Sequence, residues 1–456
     1  MARDDEDNSL FGRVGRYARV GVSVGGVAAR LAGQRYLGFD VDRDKNAAEL
    51  GAALGGLKGP LMKAAQLLST IPDALPAEYS RELSQLQANA PAMGWAFVKR
   101  RMSGELGPAW QDKFASFGKE AAAAASLGQV HRATLKDGTP VACKLQYPDM
   151  ASTLEADLNQ LKIVFGIARR MEIALHTSEI FKEIADRLRE ELDYRREARH
   201  AKLYAHMLAD EPHVHVPEIV DALSTDRLLT MRWLEGEKLL AWKERSQADR
   251  DKLAYNMFRA WYAPFYFYGV IHGDPHLGNY TVRPDGDVNL MDFGCVRVFP
   301  PSFVKGSIDL YKALLADDEE LAVAAYELWG FEKLSRDMIR ALNRWAAFLY
   351  GPLMDDRPRR IAEGSAGQYG RETANTVFGE VRRLGGVTVP REFVFMDRAA
   401  IGLGSVFIHL RAEINWYRLF QDLIGDFDAN ALGARQAAAL AAVGLVPGSA
   451  GVSPAS

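Results

Sequence analysis

The stretch HGDPHLGNY, residues 272 to 280, places two histidines, an aspartate and an asparagine within nine positions. Two kinds of site are compatible with these residues alone. One is a transition-metal site built from His272, Asp274 and His276, and the other is a phosphate-handling loop that uses Asp274 and Asn279. The sequence on either side separates the two, because Asp274 precedes Asn279 by five residues and Asp292, in MDFG, follows Asn279 by thirteen.

This spacing is typical of a phosphoryl-transfer loop. In kinase catalytic sites an aspartate faces the acceptor hydroxyl, an asparagine five residues later binds magnesium, and the aspartate of DFG binds the ions that bridge the phosphates. Magnesium prefers oxygen ligands, which Asn279 and Asp292 supply. A zinc site would need a further protein ligand nearby and would leave the DFG unexplained. We therefore predict that Asp274 is catalytic and that Asn279 and Asp292 bind Mg²⁺.

A second element lies upstream. Alternating segments flank Asp137-Gly138, which is a strong hairpin signal, and VACK (141–144) falls on the second strand. Kinases carry on this strand the lysine that contacts the α and β phosphates, which predicts that role for Lys144. A carboxylate from the following helix should hold the ammonium group, and EELDYRREA offers four candidates: Glu190, Glu191, Asp193 and Glu197.

The segment before VACK has no G-x-G-x-x-G, the glycine-rich loop with which ordinary kinases cover the phosphates. AAAAASLGQVH (121–131) stands in its place. Alanine has a Cβ and resists positive φ, so this loop should be stiffer and should approach phosphate differently. For Ala121 and Ala122 a simple helical turn is an open alternative, whereas SLGQVH runs into a strand.

These residues resemble the UbiB/AarF family of atypical protein-kinase-like proteins, which includes the mitochondrial coenzyme Q chaperone kinases. The family's loop AAAS[IL]GQVH matches residues 123–131, and its K-x-G-Q motif aligns with LKGPLMKAAQLLS (57–69), where Ala65 replaces the glycine. The resemblance assigns catalytic positions to Lys63, Gln66, Lys144, Glu197 and Asp274. It assigns ATP binding to Ala123, Ala124, Ala125, Ser126, Gln129 and Lys144, and the E-x-D signature to Glu191 and Asp193.

The resemblance implies an α+β, bilobal protein-kinase-like fold with a small β-containing lobe, a mainly helical lobe and an N-terminal helical extension packed over the active site. Met231 to Leu234 would connect the lobes, and Met231, Arg232 and Leu234 would offer backbone groups to adenine. The implied cofactors are ATP and Mg²⁺. The implied activity is that of an ATPase or small-molecule kinase in ubiquinone or other isoprenoid-lipid metabolism, rather than that of a protein kinase, with an isoprenoid lipid or quinone precursor as partner.

Two other functions stay open. A small-molecule phosphotransferase of the aminoglycoside or choline kinase type shares an HGD-x-x-x-x-N loop, but such enzymes lack the alanine-rich loop and the upstream KAAQ. A nucleotide-binding scaffold without turnover is the second alternative, although every expected phosphate and metal residue is present.

Periodicity and composition, read together with the family resemblance, predict five segments. They are an N-terminal segment (1–44), a helical extension (45–110), a kinase-like N-lobe with a helical insertion (111–235), a helical C-lobe with the catalytic loop and DFG (236–430), and an Ala/Gly-rich tail (431–456). Within these, helices are expected over 249–269 and most of 302–426, and a buried strand over RLLTMRWLEG (227–236).

Net charge and hydropathy exclude some function classes. A net charge of −3 and a pI of about 6.3 argue against nucleic-acid binding, and two cysteines do not suffice for a disulfide framework. Without a span of about 20 apolar residues or a signal peptide, we expect a cytoplasmic protein. Residues 10–38 contain five arginines and no acidic residue. They predict either a basic helix on the inner face of the membrane or a helix packed on the body of the protein.

Three side-chain groups near these motifs have simpler expected roles. Cys143 and Cys295 should act as small buried hydrophobes. His272 and His276 should orient the loop, and the aromatic run WYAPFYFYG (261–269) should belong to the core, with a lipid-binding surface as the alternative.

Overall fold

The computed structural model describes residues 93–125, 127–148, 150, 154–155, 158, 185–332, 334–362, 376–377, 379–381, 383–385 and 390–446. The segment 10–38 and the predicted site residues Lys63, Gln66 and Ser126 lie outside the described residues. In the part of the chain that is described, none of the helices has the length and apolar character needed to cross a bilayer.

The described helices are α1 Trp95–Leu106, α2 Tyr194–Met207, α3 Gln247–Tyr268, α4 Pro301–Ala316, α5 Glu319–Leu328, α6 Arg336–Tyr350, α7 Arg391–Leu410, α8 Trp416–Ile424 and α9 Ala429–Ala442. The described strands are β1 Phe114–Phe117, β2 Ala123–Ala125, β3 Gly128–Leu135, β4 Pro140–Gln146, β5 Val214–His215, β6 Leu228–Arg232, β7 Glu237–Lys238, β8 Val270–His272, β9 Tyr280–Val282, β10 Val288–Leu290 and β11 Val296–Val298.

The chain forms two compact units. Of the described residues, the first unit contains those up to Tyr194 together with Val220–Thr230, and the second contains Arg195–Ile219 and those from Met231 onward. The chain therefore passes from the first unit into the second after Tyr194 and again between Thr230 and Met231, within β6.

An antiparallel sheet forms the centre of the first unit. Its strand order is β1-β3-β4-β6, and β2 pairs with β3. The hairpin predicted around Asp137-Gly138 is confirmed, because β3 and β4 pair from Gly128↔Gln146 to Thr134↔Pro140. Gly138 adopts a φ of 87° in this turn, a conformation that glycine takes without steric cost.

A buried ion pair fixes helix α1 to this sheet. Arg101 donates from Nε to the carbonyl oxygen of Gln146 (3.1 Å) and from Nη2 to that of Tyr147 (3.0 Å). Glu105, one turn later, accepts from the Thr225 hydroxyl (2.7 Å) and pairs with Arg227 Nε (2.8 Å). Arg101 Nη1 also lies 3.5 Å from Glu105 Oε1, and these two side chains are only 10% and 6% exposed, so the buried charges are paired, as burial of a charge requires.

Two other features predicted from the sequence are confirmed in the second unit. β9 and β10 pair antiparallel around the Asp285-Gly286 turn, with Val288↔Val282 and Leu290↔Tyr280 in register. Helix α3 begins at the Ser246 N-cap, which accepts from the Asp249 N–H, and ends at Gly269 in the left-handed conformation. Its aromatic residues pack into the core, since Trp261, Phe265 and Tyr266 are buried.

Two histidines share one carboxylate where β5 meets β10. His213 Nδ1 lies 2.9 Å from Asp287 Oδ1, and His215 Nε2 lies 2.8 Å from Asp287 Oδ2. Burial alone would raise the pKa of the Asp287 carboxyl, but the hydrogen bonds from His215 and His213 outweigh it and hold this pKa below its ordinary value. The carboxylate therefore stabilises the folded state only while it is ionised.

This lowered pKa predicts a loss of stability in acid. The contribution of Asp287 should be fully present above the ordinary aspartate pKa of about 4, and it should disappear as pH falls through the lower folded-state pKa. We expect Asp287→Asn to lower the free energy of unfolding by roughly 1–2 kcal/mol at pH 7, with the difference from wild type shrinking below about pH 4. Urea unfolding at both pH values measures this, with the exposed Asp210→Asn as control. A difference that grows in acid would contradict it.

Candidate active site

The HGDPHLGN loop starts where β8 ends and is tied to the residues that follow the DFG. β8 pairs antiparallel with β11, with Val296 opposite His272. The Gly273 N–H donates to the carbonyl oxygen of Cys295 at 2.7 Å. Backbone pairing with the segment after the DFG therefore fixes the start of the loop.

His272 holds this loop through both of its ring nitrogens. Nδ1 accepts a hydrogen bond from the Asp274 N–H at 3.2 Å, so the proton is on Nε2, which donates to the carbonyl oxygen of Asp292 at 2.5 Å. His276 similarly accepts from the Gly278 N–H at 3.0 Å through Nδ1. The predicted orienting role of the two histidines is confirmed, because their nitrogens are engaged with backbone groups of the same loop system.

Asp274 and Asn279 are in direct contact. Asn279 Nδ2 donates to both the backbone oxygen and Oδ2 of Asp274, each at 3.2 Å. Because the amide nitrogen of Asn279 is used in this way, its side-chain oxygen is the atom left to act as a ligand or acceptor. The five-residue spacing read from the sequence thus places a carboxylate beside an oriented amide.

A backbone hydrogen bond connects the residue before Asp292 to Asn279. The Met291 N–H donates to the Asn279 carbonyl oxygen at 3.0 Å, and Asp292 Oδ1 accepts from the Gly294 N–H at 3.0 Å. These bonds fix the DFG turn and bring its carboxylate to the loop that carries Asp274.

The Tyr280 side chain is buried and directly follows this loop. Burial raises the pKa of its hydroxyl well above the ordinary value, and the negative charge of Asp274 adds to this shift. The motifs did not single out Tyr280, although it directly follows Asn279.

Aromatic rings support the loop from within the second unit. The Tyr204 ring centroid lies 5.2 Å from that of Phe293 and 6.0 Å from that of His272, and Trp261 packs 5.5 Å from His272. His200, on α2 with Tyr204, is buried and lies 3.1 Å from the carbonyl oxygen of Phe293. Burial lowers its pKa to about 3, so the ring is neutral and donates from Nδ1. Helix α2 is therefore bonded to the DFG turn.

The donor set fits magnesium bound together with nucleotide phosphates. The amide oxygen of Asn279 and the carboxylate of Asp292 are hard oxygen ligands, and Mg²⁺ normally completes its shell with water and phosphate oxygens. Few protein ligands are needed for such a site. Among the described residues, no cluster of three or more His, Cys, Asp or Glu side chains is placed to hold a metal by itself.

Lys144 lies on β4 in the sheet of the first unit. Its Nζ is 5.3 Å from the centroid of the Tyr194 ring, a cation–π geometry. Tyr194 is buried and follows the E-x-D signature directly, but no motif singled it out. The same tyrosine lies against Gly128, because a Cβ at that glycine would stand 2.9 Å from the Tyr194 hydroxyl and 2.3 Å from the Leu145 carbonyl oxygen. Only glycine fits at position 128 of the alanine-rich motif.

The alanine-rich segment is a strand, and the helical-turn alternative is wrong. Ala123, Ala124 and Ala125 pair with Val130, Gln129 and Gly128 of β3. The Ala122 N–H continues this pairing by donating to the Val130 carbonyl oxygen at 2.8 Å. The backbone bonds are made across the sheet, so no helical turn forms.

The side chains of Gln129 and His131, in the same motif, form hydrogen bonds with each other and with backbone groups of the first unit. Gln129 Oε1 accepts from the Met93 N–H (2.7 Å), and its Nε2 contacts the Met93 carbonyl oxygen (3.2 Å) and His131 Nε2 (2.8 Å). His131 then donates from Nδ1 to the Gly118 carbonyl oxygen (2.8 Å). The Gln129 amide is therefore committed to hydrogen bonds within the first unit, and an ATP contact at this position stays a prediction.

The remaining predicted site residues lie on separate elements. Glu191 is half-buried and Asp193 exposed just before α2, and Glu197 is buried in its first turn. Lys144 belongs to the first unit and Glu197 to the second, so their pairing stays a prediction. Met231 and Arg232 end β6, where the Arg232 N–H donates to the Glu218 carbonyl oxygen at 2.8 Å, and Leu234 follows half-buried.

Cys143 behaves as the expected small buried hydrophobe. It is fully buried, and burial raises the pKa of its thiol to about 12, so it stays protonated at neutral pH. Cys295 is half-buried beside Gly273.

Comparison with known proteins agrees with this geometry. The model of the ABC1 atypical kinase-like domain matches residues 85–326, more than half of the chain. Atypical kinase COQ8B, mitochondrial, of Rattus norvegicus is 30% identical over 295 residues, which cover 63% of this chain and 56% of the relative. Atypical kinase COQ8, mitochondrial, of Saccharomyces cerevisiae is 30% identical over 263 residues, with 57% and 52% covered. The chain thus spans about half the length of the curated relatives it matches.

A solved structure extends the likeness to the fold. Rv3197 of Mycobacterium tuberculosis, in complex with erythromycin, superposes with a TM-score of 0.60 at 26% identity and covers 83% of this chain and 96% of its own. The expected α+β, protein-kinase-like fold class is confirmed. Together with the matched domain and the arrangement of Asp274, Asn279 and Asp292, these comparisons place the chain in the ABC1 atypical kinase-like family, the UbiB/AarF family that its motifs resemble.

Proposed function

We propose that this protein binds Mg-ATP and acts as a phosphotransferase or ATPase. The observation that carries the proposal is the contact between Asp274 and Asn279 with the DFG turn fixed beside them. In this proposal Asn279 and Asp292 hold Mg²⁺, which neutralises charge on the phosphates, and Asp274 accepts the proton of the attacking hydroxyl or water. Lys144 contacts the α and β phosphates and pairs with Glu197, and the backbone around Met231 receives adenine.

We further propose that the reaction serves ubiquinone or other isoprenoid-lipid metabolism. The relatives named COQ8 and the motifs shared with the UbiB/AarF family support this assignment. A lipid or quinone precursor would then be the partner, and residues 10–38 would be the proposed contact with the inner face of the membrane.

A second candidate is a small-molecule phosphotransferase. The HGDPHLGN loop fits this class, and the related protein Rv3197 forms a complex with erythromycin, a bulky small molecule. The two candidates differ in the fate of the γ-phosphate. Covalent phosphate on an added alcohol substrate supports the second candidate, whereas release of inorganic phosphate that rises with added isoprenoid lipid supports the first.

The nucleotide site is tested first by thermal stability. A ligand at about a hundred times its Kd adds roughly 2.7 kcal/mol to the free energy of unfolding. We expect ATP to raise Tm only when magnesium is present and expect Asp292→Asn to abolish this rise. Asp318→Asn is the matched control, because Asp318 caps α5 by accepting the Leu321 N–H and asparagine caps a helix equally well.

Two other outcomes would change the proposal. No rise in wild-type Tm would contradict the nucleotide site. A magnesium-dependent rise without phosphate release or transfer would support the scaffold alternative over an enzyme.

A further inference from the structure

The ammonium group of Lys144 lies over an aromatic ring of the first unit. Lys144 is on β4, and its Nζ is 5.3 Å from the centroid of the Tyr194 ring. The negative face of an aromatic ring attracts a cation within about 6 Å, and the attraction is stronger when the two groups are shielded from water. Tyr194 is only 2% exposed, so water does not compete for most of its ring.

The segment that ends at Tyr194 is bound to the strand that carries Lys144. Gln146 Nε2 donates to the Leu192 carbonyl oxygen at 3.1 Å. Lys144 and Gln146 are two residues apart on β4, and strand residues with this spacing share one face of the sheet. The lysine therefore meets the tyrosine ring on the same face of β4 from which Gln146 holds the chain before it.

The hydroxyl end of Tyr194 lies against the start of β3. A Cβ at Gly128 would stand 2.9 Å from the Tyr194 hydroxyl. Gly128 pairs with Gln146 in the β3–β4 ladder, and Val130 pairs with Lys144. One tyrosine side chain thus contacts the lysine with its ring and approaches the strand after the alanine-rich segment with its hydroxyl.

We propose that Tyr194 is a positioning residue that holds the Lys144 ammonium group through a cation–π interaction. Its contribution to nucleotide binding rests on the proposed function, in which Lys144 contacts the α and β phosphates. A lysine side chain is long and flexible, and it loses conformational freedom when it binds a phosphate. A ring that already restricts the ammonium group reduces this loss, so the ring should favour phosphate binding.

Fluorination of the ring tests the interaction with little change in its size. Tyr194→Phe is the parent variant, and 3,4,5-trifluorophenylalanine at position 194 is compared with it, because fluorine withdraws the electron density that attracts the cation. An ammonium group that is held less strongly gives up its proton more readily and reacts faster with acetic anhydride. We expect the trifluoro variant to acetylate Lys144 about twofold to fivefold faster than Tyr194→Phe does, as measured by mass spectrometry.

Two controls separate the charge of the ring from packing. Lys136, which is exposed between β3 and β4, is the reference in each sample, and its acetylation rate should not change. Phe114, whose ring packs on those of Trp110 and Phe117, receives the same trifluorophenylalanine, which should leave the rate at Lys144 unchanged. If Tyr194→Phe does not fold, 3-fluorotyrosine keeps the hydroxyl and should raise the rate over wild type.

A titration with Mg-ATP completes the test. The trifluoro variant should have a Kd about twofold to fivefold higher than Tyr194→Phe, because the lysine is then less restricted. Equal acetylation of Lys144 in the two variants would overturn the proposal, and so would a Kd that stays equal or falls. No Mg-ATP binding by wild type would instead refute the proposed function, and the acetylation rates would still decide whether Tyr194 holds Lys144.

Discussion

Asp274→Asn is expected to lower ATP turnover by about 10²–10⁴-fold with little change in nucleotide affinity. Asparagine keeps the shape of the side chain and can still accept the hydrogen bond that Asn279 Nδ2 now donates to Asp274 Oδ2. It cannot accept a proton from the attacking group. The substitution therefore removes general-base catalysis while the loop geometry is retained.

Single-turnover phosphate release and a separate nucleotide titration distinguish the proposed roles of Asp274 and Asp292. Asp274→Asn should lose rate and keep magnesium-dependent affinity, whereas Asp292→Asn should lose both, because in the proposed function Asp292 is a ligand of Mg²⁺. The helix-capping control Asp318→Asn should change neither quantity. Equal turnover in wild type and Asp274→Asn would refute the catalytic assignment without affecting the nucleotide site itself.

Gly402→Ala is expected to destabilise the protein by about 1–3 kcal/mol. A Cβ at this position of α7 would stand 2.1 Å from Cγ and 2.8 Å from Cβ of Pro275. The proline ring is closed on its own backbone and cannot turn aside, so the helix or the catalytic loop must shift. This strain acts against the helix propensity of alanine, which favours the substitution by about 1 kcal/mol.

Gly404→Ala is the control, and its expected effect on the free energy of unfolding has the opposite sign. Gly404 lies in the same helix two residues later, and a Cβ there would meet nothing within 4 Å. Gly404→Ala should therefore stabilise the protein by up to about 1 kcal/mol, through propensity alone. Urea unfolding of both variants measures the difference, and equal stabilities would contradict the close packing of α7 on Pro275. Adding Pro275→Ala to Gly402→Ala should recover part of the loss.

Sequence reasoning succeeded where the controlling interactions are local. The Asp137-Gly138 and Asp285-Gly286 turns specify hairpins by their own conformational preferences. Asp274 and Asn279 are five residues apart within one loop, so their contact follows from its short path. The helix predicted over 249–269 from its periodicity corresponds to α3, whose ends are set locally by the Ser246 N-cap and by Gly269.

Contacts between distant segments could not be predicted in this way. Tyr194 lies over Lys144 although fifty residues separate them, and Gly402 meets Pro275 across 127 residues. Periodicity shows which face of an element is buried but does not identify its partner. For Gln129 the motif indicated a functional loop, but only the structure shows that its amide is taken up by Met93 and His131.

The hydrogen bonds between Gln129 and Met93 need a particular side chain at position 129 but only the backbone at position 93. Gln129 contributes its whole side-chain amide, whereas Met93 contributes only its backbone N–H and C=O together with apolar packing. Exchange of Gln129 would remove the contact, while most apolar residues could replace Met93 and keep it. Position 93 should therefore tolerate most apolar residues, while position 129 needs a side-chain carboxamide that both accepts and donates a hydrogen bond.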